Sequence, residues 1–308
     1  MTHIQQISFE LASPYMGRPY YVSGNALYTA IARRVDDHTR QSLQVSHGQF
    51  LPSTYGSLPE EHSQNGFRKK IGQSLPPVEA YEDLFVCREP AQRWVSSKRP
   101  RDASNALVRT EYGGRTAFDP VTRFAKPEDH QHRRWSVSWY LHAYLHAADP
   151  SVLPLDEDVL DGLQVGGARN FGFGELSVQD TQCVDLEDLD YSRVREADAL
   201  RIELLAPYVL SSTVQDADDQ SVPAWWAVDG ELRRRQERLV DGERLHDLAT
   251  VDHGQIVGYD GDRPVETAKN GVRRIGTHSK FGFGEFRLRP VNADTSDAKA
   301  TRPGGVLA

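Results

Sequence analysis

The chain has 308 residues, of which 38% are hydrophobic, and its formal net charge is −8. This length allows two ordinary domains, each with its own hydrophobic core. No apolar run approaches the about 18 residues that a membrane helix needs, so we expect no membrane span. The two cysteines, Cys87 and Cys183, match no metal-ligand spacing and fit a reduced, cytoplasmic location.

The charge is unevenly distributed along the chain. Residues 68–134 carry 14 Lys and Arg against 9 Asp and Glu, whereas the remainder is acidic. A basic middle is suited to a phosphate backbone, although a solvated surface of mixed charge is an equally simple interpretation. Only 7 of the 36 basic residues are Lys, and 26 of the 44 acidic ones are Asp, which suggests the hypothesis of a salt-accumulating halophile. In such salt, contact hydrogen bonds, stacking and shape would dominate recognition.

The first half begins with an alternating strand and an amphipathic helix. The strand is predicted from Ile7 to Leu11, and Ser23 is the expected N-cap of a helix with Leu27, Ile31 and Val35 on one face. Residues 38–130 are rich in Gly, Pro, Ser and charge, and we interpret them as an insertion of hairpins and loops. A long strand follows from Arg134 to Ala147, with alternating apolar and polar-aromatic faces.

A short helix is predicted around residues 155–163, before a glycine-rich loop and a strand over 174–178. An acidic linker, residues 183–198, then leads to a second half over 199–290. We place its helix at 231–240 and its last strand at 285–289. The polar tail, residues 291–308, has no hydrophobic period and is predicted to be disordered.

Two motifs occur once in each half. The pattern Gly-x-x-x-x-Phe-Gly-Phe-Gly-Glu fills residues 166–175 and 276–285, and Glu-Leu-x-small-Pro-Tyr fills residues 10–15 and 203–208. Two diverged copies of one module explain both repeats. The sequence therefore predicts an α+β protein with two tandem ferredoxin-like modules, residues 1–182 and 199–290, of which the first carries the large insertion at about 38–130.

The closing strand of each module has two faces in this interpretation. Leu176 and Phe286 point towards the helices, whereas the phenylalanines of the motif lie on the other, open face, where rings can stack on bases. The residues before each strand form the first glycine loop (166–174) and the second glycine loop (276–284). Their glycines let backbone N–H groups approach an anion, and Arg169 or Lys280 adds positive charge. A plain tight turn is the alternative for each loop.

The doubled loop before the last strand of a ferredoxin-like module resembles the glycine-rich loop of the CRISPR-associated RAMP superfamily. The arrangement is similar to Cas-five-type subunits, including their equivalents in type III effectors, and the segment 109–118 also resembles a segment of those subunits. The resemblance implies an RNA-binding subunit that caps the 5′ handle of a CRISPR RNA. It also implies a Cas-seven-type backbone and a large subunit as partners.

The resemblance further implies which residues contact RNA. They are the loop residues and a basic hairpin, the thumb, within the insertion. The loop residues are Gly166, Gly167, Arg169, Asn170, Phe171, Gly172, Gly174, Gly276, His278, Lys280, Phe281, Gly282 and Gly284. The thumb candidates are Lys98, Arg99, Arg101, Arg109, Arg115 and Arg123.

Two alternatives remain open from the sequence. A Cas-six-type endoribonuclease resembles this architecture and uses a histidine near the first helix, for which His47 and His38 are the candidates, as general acid or base. The doubled loop favours the non-catalytic subunit. A ferredoxin-like scaffold that binds only protein is the other alternative. We predict no cofactor and no metal, since His142 and His146 on a strand lie about 13 Å apart.

Overall fold

The computed structural model describes residues 3–17, 21–52, 74–85, 109–112, 115–118, 121–125, 134–241 and 244–291. Within these ranges the chain forms strands that pair antiparallel into four sheets. The strands are β1 (His3–Leu11), β2 (Tyr21–Val22), β3 (Leu43–Val45), β4 (Gly48–Pro52), β5 (Arg109–Tyr112), β6 (Arg115–Phe118), β7 (Val121–Ala125), β8 (Arg134–Ala147), β9 (Leu163–Gln164), β10 (Glu175–Asp185), β11 (Leu200–Leu204), β12 (Tyr208–Ser212), β13 (Trp226–Ala227), β14 (Arg234–Asp241), β15 (Arg244–Val251), β16 (Ile256–Tyr259) and β17 (Phe286–Pro290).

The helices are few and short. They are α1 (Gly24–Ile31), α2 (Asp37–Ser42), α3 (Glu157–Leu160), α4 (Ser192–Arg195) and α5 (Pro264–Arg273). The predicted N-cap of α1 is confirmed, because the Ser23 side chain accepts a hydrogen bond from the Ala26 N–H. The helix predicted at 155–163 is only the single turn of α3. No helix in the described ranges has the length and hydropathy of a membrane span.

The opening strand of each half occupies the same place in its sheet. The first sheet has the order β2-β4-β8-β1-β10-β9, with β3 and β7 also paired to β8. The second sheet has the order β13-β16-β11-β17. In both, the opening strand (β1 or β11) lies between the closing strand (β10 or β17) and a strand from the middle of its half. The strands β12, β15 and β14 form a third sheet, and β5 and β6 form a hairpin.

The predicted insertion at 38–130 contains strands of the main sheet. Both β3 and β4 pair with β8, through Val45 opposite Leu145 and Phe50 opposite Leu141. They therefore contribute to the first core, where Val45, Phe50, Leu141 and Leu145 are all buried. Residues 53–73 and 86–108 of the insertion, and 292–308 of the predicted tail, lie outside the described residues.

The helix predicted at residues 231–240 is wrong. This segment forms β14, which pairs with β15 from Arg234 opposite Val251 to Asp241 opposite Arg244. Its burial alternates, with Glu237 and Leu239 buried and Val240 exposed, which is the period of a strand. The only long helix in the described part of the second half is α5, whose Ala268 and Val272 are buried against β17.

The two large sheets pack against each other. On β8, Tyr140, His142 and Tyr144 are each at most 6% exposed. Tyr144 Oη donates a hydrogen bond of 2.7 Å to Glu285 Oε1 from the second half. One hydrophobic cluster contains both Tyr144 and Ile202. The polar-aromatic face of β8 is therefore not an outer surface, because residues of the second half and of the segment 75–84 cover it.

Several polar groups inside this contact are paired within the chain. Arg287 and Glu203 form an ion pair of 2.8 Å, and both are almost fully buried. Tyr81, from the 3₁₀ turn Tyr81–Phe85, accepts a hydrogen bond from the Leu288 N–H at 3.0 Å. Burial raises the pKa of Tyr81, so its hydroxyl stays neutral. Such pairing is what allows two polar sheet faces to be removed from water.

Replacing Tyr144 with Phe is expected to lower the free energy of unfolding by about 2 kcal/mol, because the buried Glu285 carboxylate loses a donor. Urea unfolding followed by tryptophan fluorescence measures this change. The matched control is Tyr28→Phe, which removes an exposed hydrogen bond to the Arg40 carbonyl and is expected to cost about 0.5 kcal/mol. Equal losses in the two variants would contradict the packing of the sheets described above.

Candidate nucleic-acid interface

The two glycine loops have the same backbone conformation. Gly166 and Gly276 open the loops with φ values of 82° and 86°. Each loop then forms one 3₁₀ turn, Arg169–Phe171 or Ser279–Phe281, which follows a left-handed residue and ends at a left-handed glycine. The repeat seen in the sequence is thus also a repeat of backbone geometry.

Each loop is fastened to the Glu-Leu-x-small-Pro-Tyr segment of its own half. The Gly174 N–H donates to the Pro14 carbonyl at 2.8 Å, and the Gly284 N–H donates to the Pro207 carbonyl at the same distance. The tyrosine of the segment lies against the first glycine. A Cβ on Gly166 would be 2.7 Å from the Tyr15 ring. The two motifs therefore recur together because they contact each other.

The last glycine of each loop is required by a close approach of the backbone. A Cβ on Gly174 would lie 1.8 Å from the Val165 carbonyl oxygen, and one on Gly284 would lie 1.8 Å from that of Ile275. Both residues also have positive φ, at 73° and 77°. Gly172 has a φ of 80°, but a Cβ there would meet nothing within 4 Å. The last position therefore combines both requirements in both loops.

The surroundings of the two loops differ. In the first loop, Asn170, Phe171 and Gly172 are exposed, with 62% of Phe171 accessible to solvent. In the second loop, Gly282 is buried and Phe283 is only 3% exposed. The expected open face for stacking rings is thus present at Phe171 and absent at Phe283. No feature of the repeated motif indicated this difference.

The basic residues of the loops also have different neighbours. Arg169 is partly buried on the exposed loop. The Lys280 ammonium lies 4.7 Å from the centre of the Tyr28 ring, a cation–π contact with α1. His278 forms a 2.9 Å hydrogen bond between its Nε2 and Ser212 Oγ. Burial, with the nearby His246 as a smaller cause, lowers the pKa of His278, so this ring is neutral at pH 7.

The candidate histidines lie in unlike environments. His47 is 3% exposed, and its ring packs 5.2 Å from both Tyr21 and Phe283, measured between ring centres. His38 is exposed and forms a 3.0 Å contact with the Asp149 carboxylate. That contact and the Ser151 hydroxyl and N–H lower the pKa of Asp149, with Ser151 the larger cause. The buried His47 is the less accessible of the two to a substrate.

The thumb candidates are only partly described. Arg109 and Arg115 lie on the β5–β6 hairpin, opposite Phe118 and Tyr112 respectively. Arg123 lies on β7, opposite Ser136 of β8. Lys98, Arg99 and Arg101 lie outside the described residues. The described ranges contain no group of three or more His, Cys, Asp or Glu side chains that could hold a metal ion.

Comparisons with known proteins give weak likenesses only. No family model and no curated protein matches the chain. A solved Cas6 product complex has 11% identity and a TM-score of 0.38, with 94% of this chain and 100% of that chain covered. A CRISPR associated protein Cas6 has 10% identity and the same TM-score, with 95% and 100% covered. Oligomeric Cmr4 from Pyrococcus furiosus has 11% identity and a TM-score of 0.34, with 60% and 99% covered. Likeness at this level carries no conclusion about function.

Two glycine variants test the geometry of the first loop. Gly172→Ala is expected to cost about 1 kcal/mol, the price of a left-handed alanine. Gly174→Ala is expected to cost about 3 kcal/mol or more, because its Cβ also overlaps the Val165 carbonyl. Urea unfolding of both variants measures the difference. Equal losses would mean that the close approach at Gly174 is not present in solution.

Proposed function

We propose that this chain is an RNA-binding protein of the CRISPR-associated RAMP type, built from two ferredoxin-like modules at 1–182 and 199–290 with a linker at 183–198. The position of β1 between β8 and β10, and of β11 between β16 and β17, supports this fold. The second module has diverged further, since no described helix lies between β11 and β13.

The observation that carries the proposal is the exposed first glycine loop. It presents Phe171, 62% accessible, beside Arg169 and two exposed residues of small or polar character, Asn170 and Gly172. An accessible ring stacks on a base, and a neighbouring guanidinium contacts a phosphate. This pairing of ring and cation is suited to single-stranded RNA whose bases are splayed out.

Within that class, we favour the role of a subunit that caps the 5′ handle of a CRISPR RNA. The motif resemblance and the doubled glycine loop support this choice, as does the burial of His47. The thumb candidates in the basic stretch would extend the RNA contact. In this role the chain assembles with a Cas-seven-type backbone and a large subunit, and its cellular location is the cytoplasm.

The acidic net charge of −8 fits this function if the protein works in concentrated salt. At about 1 M salt the Debye length is about 3 Å, so distant acidic groups no longer repel RNA. Contacts such as stacking on Phe171 persist there, because they do not depend on long-range attraction. RNA binding is therefore best measured at high as well as moderate salt.

A Cas-six-type endoribonuclease is the second candidate. The observation in its favour is that Tyr28 and His47 lie beside the second glycine loop, to which Lys280 belongs. A tyrosine, a histidine and a lysine are groups that move protons in metal-independent RNA cleavage. The burial of His47 weighs against this candidate, since a general acid must reach the scissile bond.

Arg169→Glu is expected to weaken binding of labelled CRISPR-repeat RNA about tenfold and to lower the slope of log K against log salt by about one. Fluorescence anisotropy across a salt series measures both quantities. The matched control is Arg263→Glu, which makes the same charge change on a 73% exposed side chain at the start of α5. Equal effects of the two variants, or no binding by the wild type at any salt, would contradict the proposal.

The nuclease candidate has its own test. The wild-type protein is expected to leave labelled CRISPR-repeat RNA intact in buffer with a chelator, because His47 is buried. Gel analysis of the RNA over several hours checks this. Cleavage by the wild type that is lost in His47→Ala or His38→Ala would instead establish the endoribonuclease and overturn our choice.

A further inference from the structure

The second glycine loop is seated on the first module at the start of α1. A Cβ on Gly24 would lie 2.4 Å from the Phe281 carbonyl oxygen and 2.6 Å from that of Val45. The first residue of the helix therefore touches the backbone of the loop, and any larger side chain would separate them. This contact joins residues that are more than 250 positions apart in the chain.

The helix continues the contact one turn later. The Tyr28 ring meets the Phe281 ring edge to face, with centres 5.2 Å apart and an angle of 80° between the planes. The Lys280 ammonium lies over the same tyrosine. One side chain of α1 thus receives both the ring and the cation of the loop.

The segment after β3 also contacts the second glycine loop. A Cβ on Gly282 would be 2.3 Å from His47 Nδ1 and 2.7 Å from the His47 backbone nitrogen. The neighbouring Phe283 packs against the same imidazole. Close by, Asn25 Nδ2 donates to the Val240 carbonyl at 2.6 Å, which ties α1 to β14 as well.

From these contacts we infer that the second glycine loop is an internal clamp between the modules, and that the first loop alone contacts RNA. The inference rests on the proposed function for its second part. The ring of Phe281 and the charge of Lys280 contact Tyr28, and 62% of Phe171 in the first loop is accessible to solvent. The sequences differ accordingly, since Lys280 stands where the first loop has Asn170, and Ser279 where it has Arg169.

The inference also gives His47 a structural role. Its ring fills the space between Tyr21 and Phe283, where it supports the loop that Gly282 brings close. His47 then lies beside a glycine loop because it supports the clamp, and this position does not require a catalytic role. One RNA contact surface for each chain follows from this division between the loops.

The repeat supplies a matched pair of variants, Phe171→Ala and Phe281→Ala. Phe281→Ala is expected to lower the Tm by about 5 °C. Its RNA affinity, measured about 20 °C below its Tm, is expected to change by less than about twofold. Phe171→Ala is expected to leave the Tm within about 1 °C and to weaken RNA binding about tenfold. Differential scanning fluorimetry and anisotropy with labelled CRISPR-repeat RNA give the two measurements.

A double-mutant cycle identifies the clamp directly. The Tm loss of the double variant Tyr28→Ala/Phe281→Ala is expected to be smaller than the sum of the two single losses, because the two rings contact each other. The Tm losses of Tyr28→Ala and Phe171→Ala are expected to be additive in their double variant. Lys280→Ala, a milder change, lowers the Tm by about 2 °C and serves where Phe281→Ala does not fold.

The outcomes separate the two proposals. Loss of RNA binding in Phe281→Ala or Lys280→Ala with an unchanged Tm would overturn the clamp and show that both loops bind RNA. A lowered Tm with a non-additive cycle, in a protein that binds no RNA, would sustain the clamp and refute the proposed function. Additive losses in the Tyr28–Phe281 cycle would refute the clamp itself.

Discussion

The structure depends on one hydrogen bond that is made twice, from the last glycine of each loop to the proline carbonyl of the opening segment. Gly174 donates to Pro14 and Gly284 donates to Pro207, each at 2.8 Å. The bond lies beside the pairing of the closing strand with the opening strand in each half, β10 with β1 and β17 with β11. It also holds the loop at the sheet edge in a left-handed turn that a larger residue cannot adopt without strain.

The two loops share one backbone geometry but differ in their surroundings, because the two halves of the chain pack against each other. Contacts such as Tyr144 with Glu285 bury the polar faces of both sheets. This packing places the second loop against α1 and leaves the first loop at the surface. Two loops with one conformation therefore acquire different exposure, and with it different chemistry. The pairing of buried polar groups offsets the loss of their hydration, since unpaired groups there would destabilise the fold.

Local patterns in the sequence predicted several elements well. The alternation of β8 gave its full range, Arg134–Ala147, and Ser23 marked the start of α1. The helix expected at 231–240 was wrong because charged residues with good helix propensity obscured a strand alternation that the partner strand β15 enforces. Tertiary contacts determined the secondary structure of this segment, and its local sequence contains no information about the partner strand.

The candidate site was predictable as a motif but not as a surface. The repeat located both glycine loops, and the glycine positions follow from the backbone alone. The burial of Phe283 and the contact of Lys280 with Tyr28 depend on how the halves meet, which no local pattern encodes. The sequence consequently assigned the two loops equal roles, whereas their environments differ.

The most direct measurement of the central claim is photo-crosslinking of thiouridine-labelled CRISPR-repeat RNA to the intact chain, with the crosslinked peptides identified by mass spectrometry. We predict crosslinks in the first loop at Arg169–Phe171 and none at Ser279–Phe281. Crosslinks at the second loop without any at the first, or no crosslinks in either loop, would contradict the account.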